Sequence, residues 1–274
     1  MIRLTLAFAV GTLGAGTAIA HDFWVQPSQW RVAPLDTVTL TLMVGHGADR
    51  QPSRLPASRI VRFETIAPDG RRTDLKAPIA DSDGQQTRLQ PEGDGAHMIV
   101  LQSDARAQSR LPPARFESYL KEEGLTVALD ARKRTRRSAT DGSENYRRNA
   151  KAIVLVGTPT RANSRWIEKR VGLALEIVPD DDLFLSPGPT EMSLRIFYHG
   201  RPLAGALVKL TDLNNDTKPV AQRRSAADGR VRFAMPGTGT WRANVVWTRP
   251  NEPGAATDFE TDFSSLSFAV PHRG

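Results

Sequence analysis

The chain has 274 residues, a formal charge of +7 and no cysteine. The lack of cysteine excludes disulfides, thiolate metal ligands and a lipid-modified N-terminal cysteine. The length is sufficient for two modest domains. Because no motif for stacking bases accompanies the basic charge, nucleic acid is not an expected partner.

Residues 1–20 are predicted to form a signal peptide. Arg3 gives a positive start, and the uncharged stretch that follows ends in Ala18-Ile19-Ala20, the small-x-small pattern of a cleavage site. Cleavage after Ala20 makes His21 the first residue of the mature protein. No later segment approaches the roughly 20 apolar residues of a membrane-spanning helix. We therefore expect a periplasmic protein with no membrane span after cleavage.

Residues 21–179 are predicted to form a β-sandwich domain. Alternate residues from Val38 to Val44 are apolar, which is typical of a half-buried strand. Similar short segments follow at 59–65 and 99–101, separated by Gly, Pro and Asp turns.

A helical, basic insertion is predicted within this domain, at about residues 112–150. Phe116, Tyr119 and Leu120 have the spacing of one helical face, and residues 144–150 are expected to resume as a helix. The basic run at 132–137 is interpreted as a solvated face. Binding of an acidic surface or of lipid headgroups is the alternative.

Residues 188–274 are predicted to form a second, smaller β-sandwich, after a polar, Pro-rich boundary. Apolar residues alternate from Leu194 to Tyr198 and again from Trp241 to Trp247. The predicted fold is all-β, with two immunoglobulin-like or prealbumin-like sandwiches and the helical insertion in the first.

Three histidines are candidate metal ligands: His21, His46 and His97. An N-terminal His21 offers its imidazole and its α-amine to one metal ion, and metal binding drives loss of the amine proton. His46 follows the Val38–Val44 strand and lies between two glycines, and His97 precedes the next apolar run. Imidazole and amine ligands suit copper, nickel or zinc, and copper binds most tightly on affinity alone.

Other motifs do not match known sites. Asp212-x-Asn214-x-Asp216 has the start of a calcium loop, but Thr217 and Arg223 replace its glycine and glutamate. Catalytic signatures such as Gly-x-Ser-x-Gly or His-Glu-x-x-His do not occur. We therefore expect a protein that is not an enzyme. A copper oxygenase with an N-terminal histidine ligand is an open alternative.

Several segments resemble a family of secreted bacterial proteins that contain a domain of unknown function. The segments are His21–Ser28, Phe116–Leu125, Glu144–Arg148 with Ala150-Lys151, Leu175–Pro179, Gly200–Ala206, Asp228–Arg230 and Gly239–Trp241. Members are described as the periplasmic component of cobalt/nickel-type ABC uptake systems. The resemblance implies a metal-binding or metal-delivery protein that works with a membrane transporter. It also implies a histidine near Trp247, which this chain lacks.

The resulting hypothesis is a periplasmic protein that captures a divalent ion, nickel, cobalt or copper, with His21, His46 and His97. Its partners are the metal ion and a membrane transporter. A non-catalytic β-sandwich used for interaction or adhesion is the first alternative.

Overall fold

The computed structural model describes residues 22–80, 85–180, 190–234 and 237–270. The predicted signal peptide and His21 lie outside these residues.

Strands account for about half of the described chain. In order they are β1 (Phe23–Pro27), β2 (Arg31–Val32), β3 (Val38–Val44), β4 (Gln51–Pro52), β5 (Ile60–Ile66), β6 (Arg72–Asp74), β7 (Gln86–Leu89), β8 (Gly95–Ser103), β9 (Ala107–Leu111), β10 (Gly142–Val156), β11 (Leu175–Pro179), β12 (Glu191–Tyr198), β13 (Arg201–Pro202), β14 (Leu207–Asp212), β15 (Ala221–Arg224), β16 (Arg230–Ala234), β17 (Gly239–Pro250) and β18 (Phe259–Val270).

Helices are short and few in the described ranges. The α-helices are α1 (Lys76–Ala80), α2 (Pro113–Glu122), α3 (Thr126–Arg134) and α4 (Arg161–Ser164), and 3-10 turns occur at Gly47–Asp49, Ala57–Arg59 and Arg165–Glu168.

One large sheet forms the centre of the molecule, and a smaller sheet packs on each of its faces. The large sheet has the order β15-β14-β17-β18-β10-β8-β5-β6, with β2 and β9 also paired to β10. The first small sheet contains β1, β3, β4 and β7, and the second contains β11, β12, β13 and β16. The prediction of an all-β sandwich architecture is confirmed.

The two faces of the large sheet bury separate cores. On β8, Met98 and Val100 join the cluster under the second small sheet, whereas Ile99 and Leu101 join the cluster under the first. Successive side chains of a strand point to opposite faces, so a strand covered on both sides needs a continuous apolar run. Residues 98–101 supply that run.

The helices α2 and α3 cover a third cluster at one end of the large sheet. Phe116 and Leu120 of α2 pack there against Val246, Phe259 and Phe263. The helical face predicted from the spacing of Phe116, Tyr119 and Leu120 is the buried face of α2.

The helical insertion is shorter than predicted, because residues 144–150 belong to the strand β10. Its Glu144–Ala152 segment pairs in parallel with β18, and Gly142–Tyr146 pairs with β9. The partner β18 lies more than 100 residues away and β9 more than 30 residues away, so tertiary context overrides local preference here. The expectation of a helix there is wrong.

The basic run divides into two parts. Residues 133–137 are exposed, as expected. Arg132 is instead buried, with its guanidinium 4.9 Å from the Phe116 ring centroid and Nη2 donating to the Thr140 carbonyl at 2.6 Å.

Strands from both predicted domains are neighbours in the large sheet. β10 lies before the predicted boundary and β18 after it, yet they pair over nine residues. The division into residues 21–179 and 188–274 itself stays a prediction, because residues 181–189 lie outside the described ranges.

A buried ion pair joins the large sheet to the second small sheet. Lys151 Nζ of β10 lies 3.1 Å from Glu176 Oε1 of β11, and both side chains are almost fully buried. Backbone amides of residues 171–173 also donate to the Glu176 carboxylate. Burial lowers the pKa of Lys151.

We expect Lys151→Met to lower the free energy of unfolding by about 3–5 kcal/mol, because it leaves a buried carboxylate without its cation. Urea unfolding measures this loss, and the double variant K151M/E176Q should recover part of it. The control R249Q removes the exposed member of the Arg249–Glu260 pair, whose charged atoms lie 2.7 Å apart. It should lower the free energy of unfolding by less than about 1 kcal/mol. A K151M protein as stable as R249Q would contradict the prediction.

A second buried carboxylate links α2 to the large sheet. Glu144 accepts hydrogen bonds from Tyr119 at 3.2 Å, Thr261 at 2.6 Å and Ser109 at 3.2 Å. Burial nevertheless raises the pKa of Glu144 above its ordinary value of 4.5.

A raised folded-state pKa makes stability depend on pH in one direction. The contribution of Glu144 to the free energy of unfolding is fully present below about pH 4.5 and is lost as the pH rises through the folded-state pKa of this residue. The stability of the wild type relative to Glu144→Gln should therefore fall between pH 4 and pH 7. Urea unfolding of both proteins is measured across that range. The difference between their free energies of unfolding removes the titration of the groups that both proteins share. A difference that does not vary with pH would contradict the assignment.

Candidate functional site

The first described residue lies beside His46. β1 pairs antiparallel with β3, with Phe23 opposite Val44, and the Gly45 amide donates to the Asp22 carbonyl at 3.0 Å. Gly45 has a φ of 98°, and a Cβ there would lie 2.3 Å from the Asp49 carbonyl oxygen. Only glycine fits this turn, which carries the exposed His46 at the end of the strand.

Asp22 and His46 line one cavity of about 420 Å³. Its remaining walls come from the end of α2, from β14 and the loop after it, and from β17. The lining residues with ionisable side chains are Asp22, His46, Lys121, Glu122, Glu123, Lys209, Asp216, Lys218 and Arg242.

Asp22 is held by two side chains of β17. Arg242 Nη2 donates to Asp22 Oδ2, and Asn244 Nδ2 donates to Asp22 Oδ1 at 3.0 Å. The Arg242 side chain is almost fully buried, and its guanidinium lies 4.6 Å from the Trp24 ring centroid. Burial lowers the pKa of Arg242, while Asp22 opposes that change. The start of the described chain is therefore anchored from a strand about 220 residues away.

The other buried carboxylates of the cavity are also engaged with cations or amides. Glu123 lies 2.7 Å from Lys209 Nζ, although burial still raises the pKa of this glutamate. Asp216 accepts from the Gly47 amide at 2.9 Å and lies 3.7 Å from Arg50. Among the described residues, no group of three or more His, Asp or Glu side chains is placed to hold a metal ion. Any metal site here needs donors beyond these carboxylates.

His97 lies in a different part of the molecule. It is buried on β8, and its Nε2 donates to the Gly93 carbonyl at 3.0 Å. Burial lowers the pKa of His97. It lines a separate cavity of about 220 Å³ together with Leu89.

The cavities of His46 and His97 lie at opposite ends of β3. Leu89 pairs with Val38 at the first residue of β3, whereas His46 follows Val44 at the last. Six residue steps along a strand span about 20 Å. The structure therefore brings His46, and not His97, to Asp22. His21 lies outside the described residues, so its role as a ligand stays a prediction.

Sequence reasoning missed Arg242 and Asn244 as parts of the site. They alternate with the apolar residues Trp241, Ala243 and Val245 of β17, so they occupy the opposite face. The alternation of these polar residues with apolar ones was the available signal, and their burial, which calls for polar partners, appears only in the structure. The Asp212-x-Asn214-x-Asp216 turn is not a calcium loop. Asp212 accepts from the Asn214 amide at 2.9 Å, while Asp216 bonds to Gly47.

Three layers of β-sheet and a cavity at the start of the first strand define a β-sandwich protein with one candidate ligand site. The chain belongs to the family described as Domain of unknown function (DUF4198), which matches residues 18–249. No protein with a curated description matches the chain in sequence.

Solved structures similar to the chain include a domain pair of intimin and an adhesin. The D0-D1 domain of intimin is 11% identical, over 91% of this chain and 98% of that chain, with a TM-score of 0.20. The adhesin InvE of Yersinia pseudotuberculosis is 11% identical, over 91% of this chain and 59% of that chain, also with a TM-score of 0.20. Similarity at this level does not bear on function.

No helix in the described ranges is long and apolar enough to cross a membrane.

We expect Asp22→Ala to lower the free energy of unfolding by about 1.5–3 kcal/mol, because Arg242 loses its charged acceptor while it stays buried. Urea unfolding of protein that begins at His21 measures the loss, and near-UV circular dichroism, to which all five tryptophans contribute, monitors the packing of the aromatic side chains. The matched control is Asp49→Ala, an exposed carboxylate on the same turn, which should stay within about 0.5 kcal/mol of the wild type. Equal stability of the two variants would show that Asp22 is not an anchor.

Proposed function

We propose that this protein is an exported, non-catalytic binding protein for a divalent transition-metal ion. The ligands are the imidazole and α-amine of His21, exposed by cleavage after Ala20, and the imidazole of His46. The observation that carries the proposal is that Asp22 and His46 line the same cavity. His21, the residue that precedes Asp22 in the sequence, is the ligand that the proposal adds to this cavity.

The chemistry of these donors favours a borderline metal. An amine and two imidazoles form a nitrogen-rich set, which suits nickel, cobalt, copper or zinc, with copper the tightest on affinity alone. Asp22, Glu123 and Asp216 are paired with cations, so they are not ligands in this proposal. His97 is also omitted, since it lies at the other end of β3.

The proposal extends to nickel or cobalt delivery in the periplasm. Its support is the resemblance of the His21–Ser28 segment and its companions to proteins described as components of ABC uptake systems. In this role the protein captures the ion outside the cytoplasm and passes it to a membrane transporter.

A second candidate is a β-sandwich module that binds another macromolecule. The observation in its favour is that three of the four lining carboxylates, Asp22, Glu123 and Asp216, are paired with cations, and that the described residues contain no group of three or more His, Asp or Glu side chains placed to hold a metal ion. This candidate predicts no specific binding of any divalent ion.

Calorimetric titration with Ni²⁺, Co²⁺, Cu²⁺ and Zn²⁺ tests the metal proposal on protein that begins at His21. We expect His46→Ala, His21→Ala and an added N-terminal methionine each to weaken binding by tenfold or more, because each removes one donor or the amine chelate. The control His199→Asn removes an exposed histidine elsewhere. Asn tolerates the positive φ of 47° found there. The metal affinity of the H199N protein should therefore match that of the wild type.

Two results would reject the metal proposal. One is that H46A and the methionine-extended protein bind the metal ions as tightly as the wild type does. The other is the absence of binding for all four ions, which would favour the interaction module.

A further inference from the structure

We propose that the basic segment, residues 133–137, is a docking surface for an acidic segment of another polypeptide. It comprises the last two residues of α3 and the turn that follows, and it carries Lys133, Arg134, Arg136 and Arg137. Carboxylates of the partner contact these cations, and an apolar side chain between the carboxylates enters the groove beside them. The inference goes beyond the metal proposal and does not rest on it.

The charge of the basic segment is the first argument. All of its residues are exposed. Arg137 is paired with Asp258 at 2.5 Å, whereas its other three cations make no ion pair with a carboxylate of the described residues. A concentration of like charge on one part of the surface attracts a partner of opposite sign. Acidic side chains can therefore bind here without displacing an existing ion pair.

A groove beside the basic segment is the second argument. A cavity of about 250 Å³ lies between the end of α3 and the loop that joins β17 to β18. Thr135 and Arg137 contribute to its lining from the basic segment, and Pro250, Pro253 and Ala255 contribute from the other side. Small-molecule sites are usually larger, at about 300–1,000 Å³, so this groove fits a single side chain. An apolar anchor within a polar rim is typical of protein interfaces.

The lining of the groove also favours a polypeptide over an anionic membrane. Glu252 and Asp258 belong to the lining, and their charge disfavours entry of a phosphate or a second carboxylate. The groove is thus suited to an uncharged side chain, while the cations beside it are suited to acidic ones. A polypeptide presents both kinds of group at neighbouring positions, whereas the surface of an anionic bilayer presents its headgroups alone.

The fixed backbone of the basic segment is the third argument. The Arg137 amide donates to the Arg132 carbonyl at 2.8 Å. The Arg136 amide donates to the Lys133 carbonyl at 3.2 Å, which completes a common pattern of helix C-termini. Arg132 is itself buried against the Phe116 ring. A backbone that is already held in place has less freedom to lose when a partner binds.

The basic segment is separate from the cavity of the proposed metal site. None of residues 133–137 lines that cavity, to which α2 and its end contribute Lys121, Glu122 and Glu123. A result on either surface therefore leaves the other undecided.

Fluorescence anisotropy on protein that begins at His21 tests the inference with three labelled peptides. They are Glu-Glu-Glu-Phe-Glu-Glu-Glu, the same peptide with alanine in place of phenylalanine, and the counterpart with lysine in place of glutamate. We expect the Phe peptide to bind threefold or more tighter than the Ala peptide, and the Lys peptide not to bind. Binding should weaken with added salt, because salt screens exposed charges. Sedimentation with phosphatidylglycerol vesicles is the lipid arm, in which we expect no binding.

The double variant R134Q/R136Q removes two unpaired cations and should weaken binding of the Phe peptide by fivefold or more. Its matched control is R201Q/R232Q, which removes two exposed arginines near the second small sheet. The affinity of the control should stay within twofold of the wild type.

Arg136→Gly separates binding from folding. Arg136 has a φ of 56°, a conformation that glycine adopts without steric cost and other residues disfavour. R136G should therefore melt at a higher temperature than the wild type, yet bind the Phe peptide twofold or more weaker. Weaker binding by a protein that melts later is not a result of unfolding.

Ala255→Trp tests the groove. Ala255 is an exposed residue of the groove lining, and a large side chain there fills the recess. The affinity of A255W for the Phe peptide should fall to that for the Ala peptide.

Four results would overturn the inference. Absence of binding for both acidic peptides is one, and equal affinities of R134Q/R136Q and its control are another. Equal affinities of the Phe and Ala peptides for the wild type would remove the role of the groove. Binding to the vesicles without binding to either acidic peptide would assign the basic segment to a lipid surface instead.

Discussion

The pairing of β10 with β18 is the constraint on which the rest of the structure depends. The two strands run parallel from Glu144 opposite Phe259 to Ala152 opposite Ser267. Parallel neighbours require a long crossover, and here the crossover contains the second small sheet and most of the C-terminal strands. β10 also contributes to both main cores, with Ile153 and Leu155 on one face and Ala152 and Val154 on the other. Without this pairing, neither small sheet would have a complete surface to cover.

The candidate site is a consequence of that closure. β17 is the other neighbour of β18, so the position of Arg242 and Asn244 is set by the completed large sheet. The strand β1 belongs to the first small sheet and brings Asp22 to those side chains. Closing a loop of more than 200 residues has an entropic cost that cooperative packing must offset. Because the cavity exists only in the closed sheet, any ligand that binds it stabilises the whole fold by mass action.

The sequence was informative where a segment's structure follows from its own pattern. The alternation from Val38 to Val44 gave β3 with the correct bounds, and the spacing of Phe116, Tyr119 and Leu120 gave the buried face of α2. Residues 144–150 were misassigned because their conformation is set by β9 and β18, which no local pattern reveals.

The site was only partly accessible to sequence reasoning for the same reason. His46 and His97 look alike in the sequence, since both flank an apolar strand near glycines. Strand pairing separates the two histidines. The end of β3 brings His46 to Asp22, whereas His97 donates a hydrogen bond to the Gly93 carbonyl. Arg242 became recognisable as a site residue only when its distant partner, Asp22, was placed.

The ion pair between Asp22 and Arg242 gives Asp22 the role of an anchor. An aspartate next to an N-terminal histidine would ordinarily be considered a further ligand. Here both of its oxygens accept hydrogen bonds from β17, and withdrawing them would leave Arg242 buried without an acceptor. A chain end is usually poorly ordered unless something ties it down, and fixing the backbone of one residue costs about 1–2 kcal/mol. Because the fold already fixes Asp22, a ligand that binds the preceding residue has to order less of the chain. The metal proposal therefore depends on Asp22 through the position it gives to the chain, and a chain extended before His21 would keep the anchor and lose the amine.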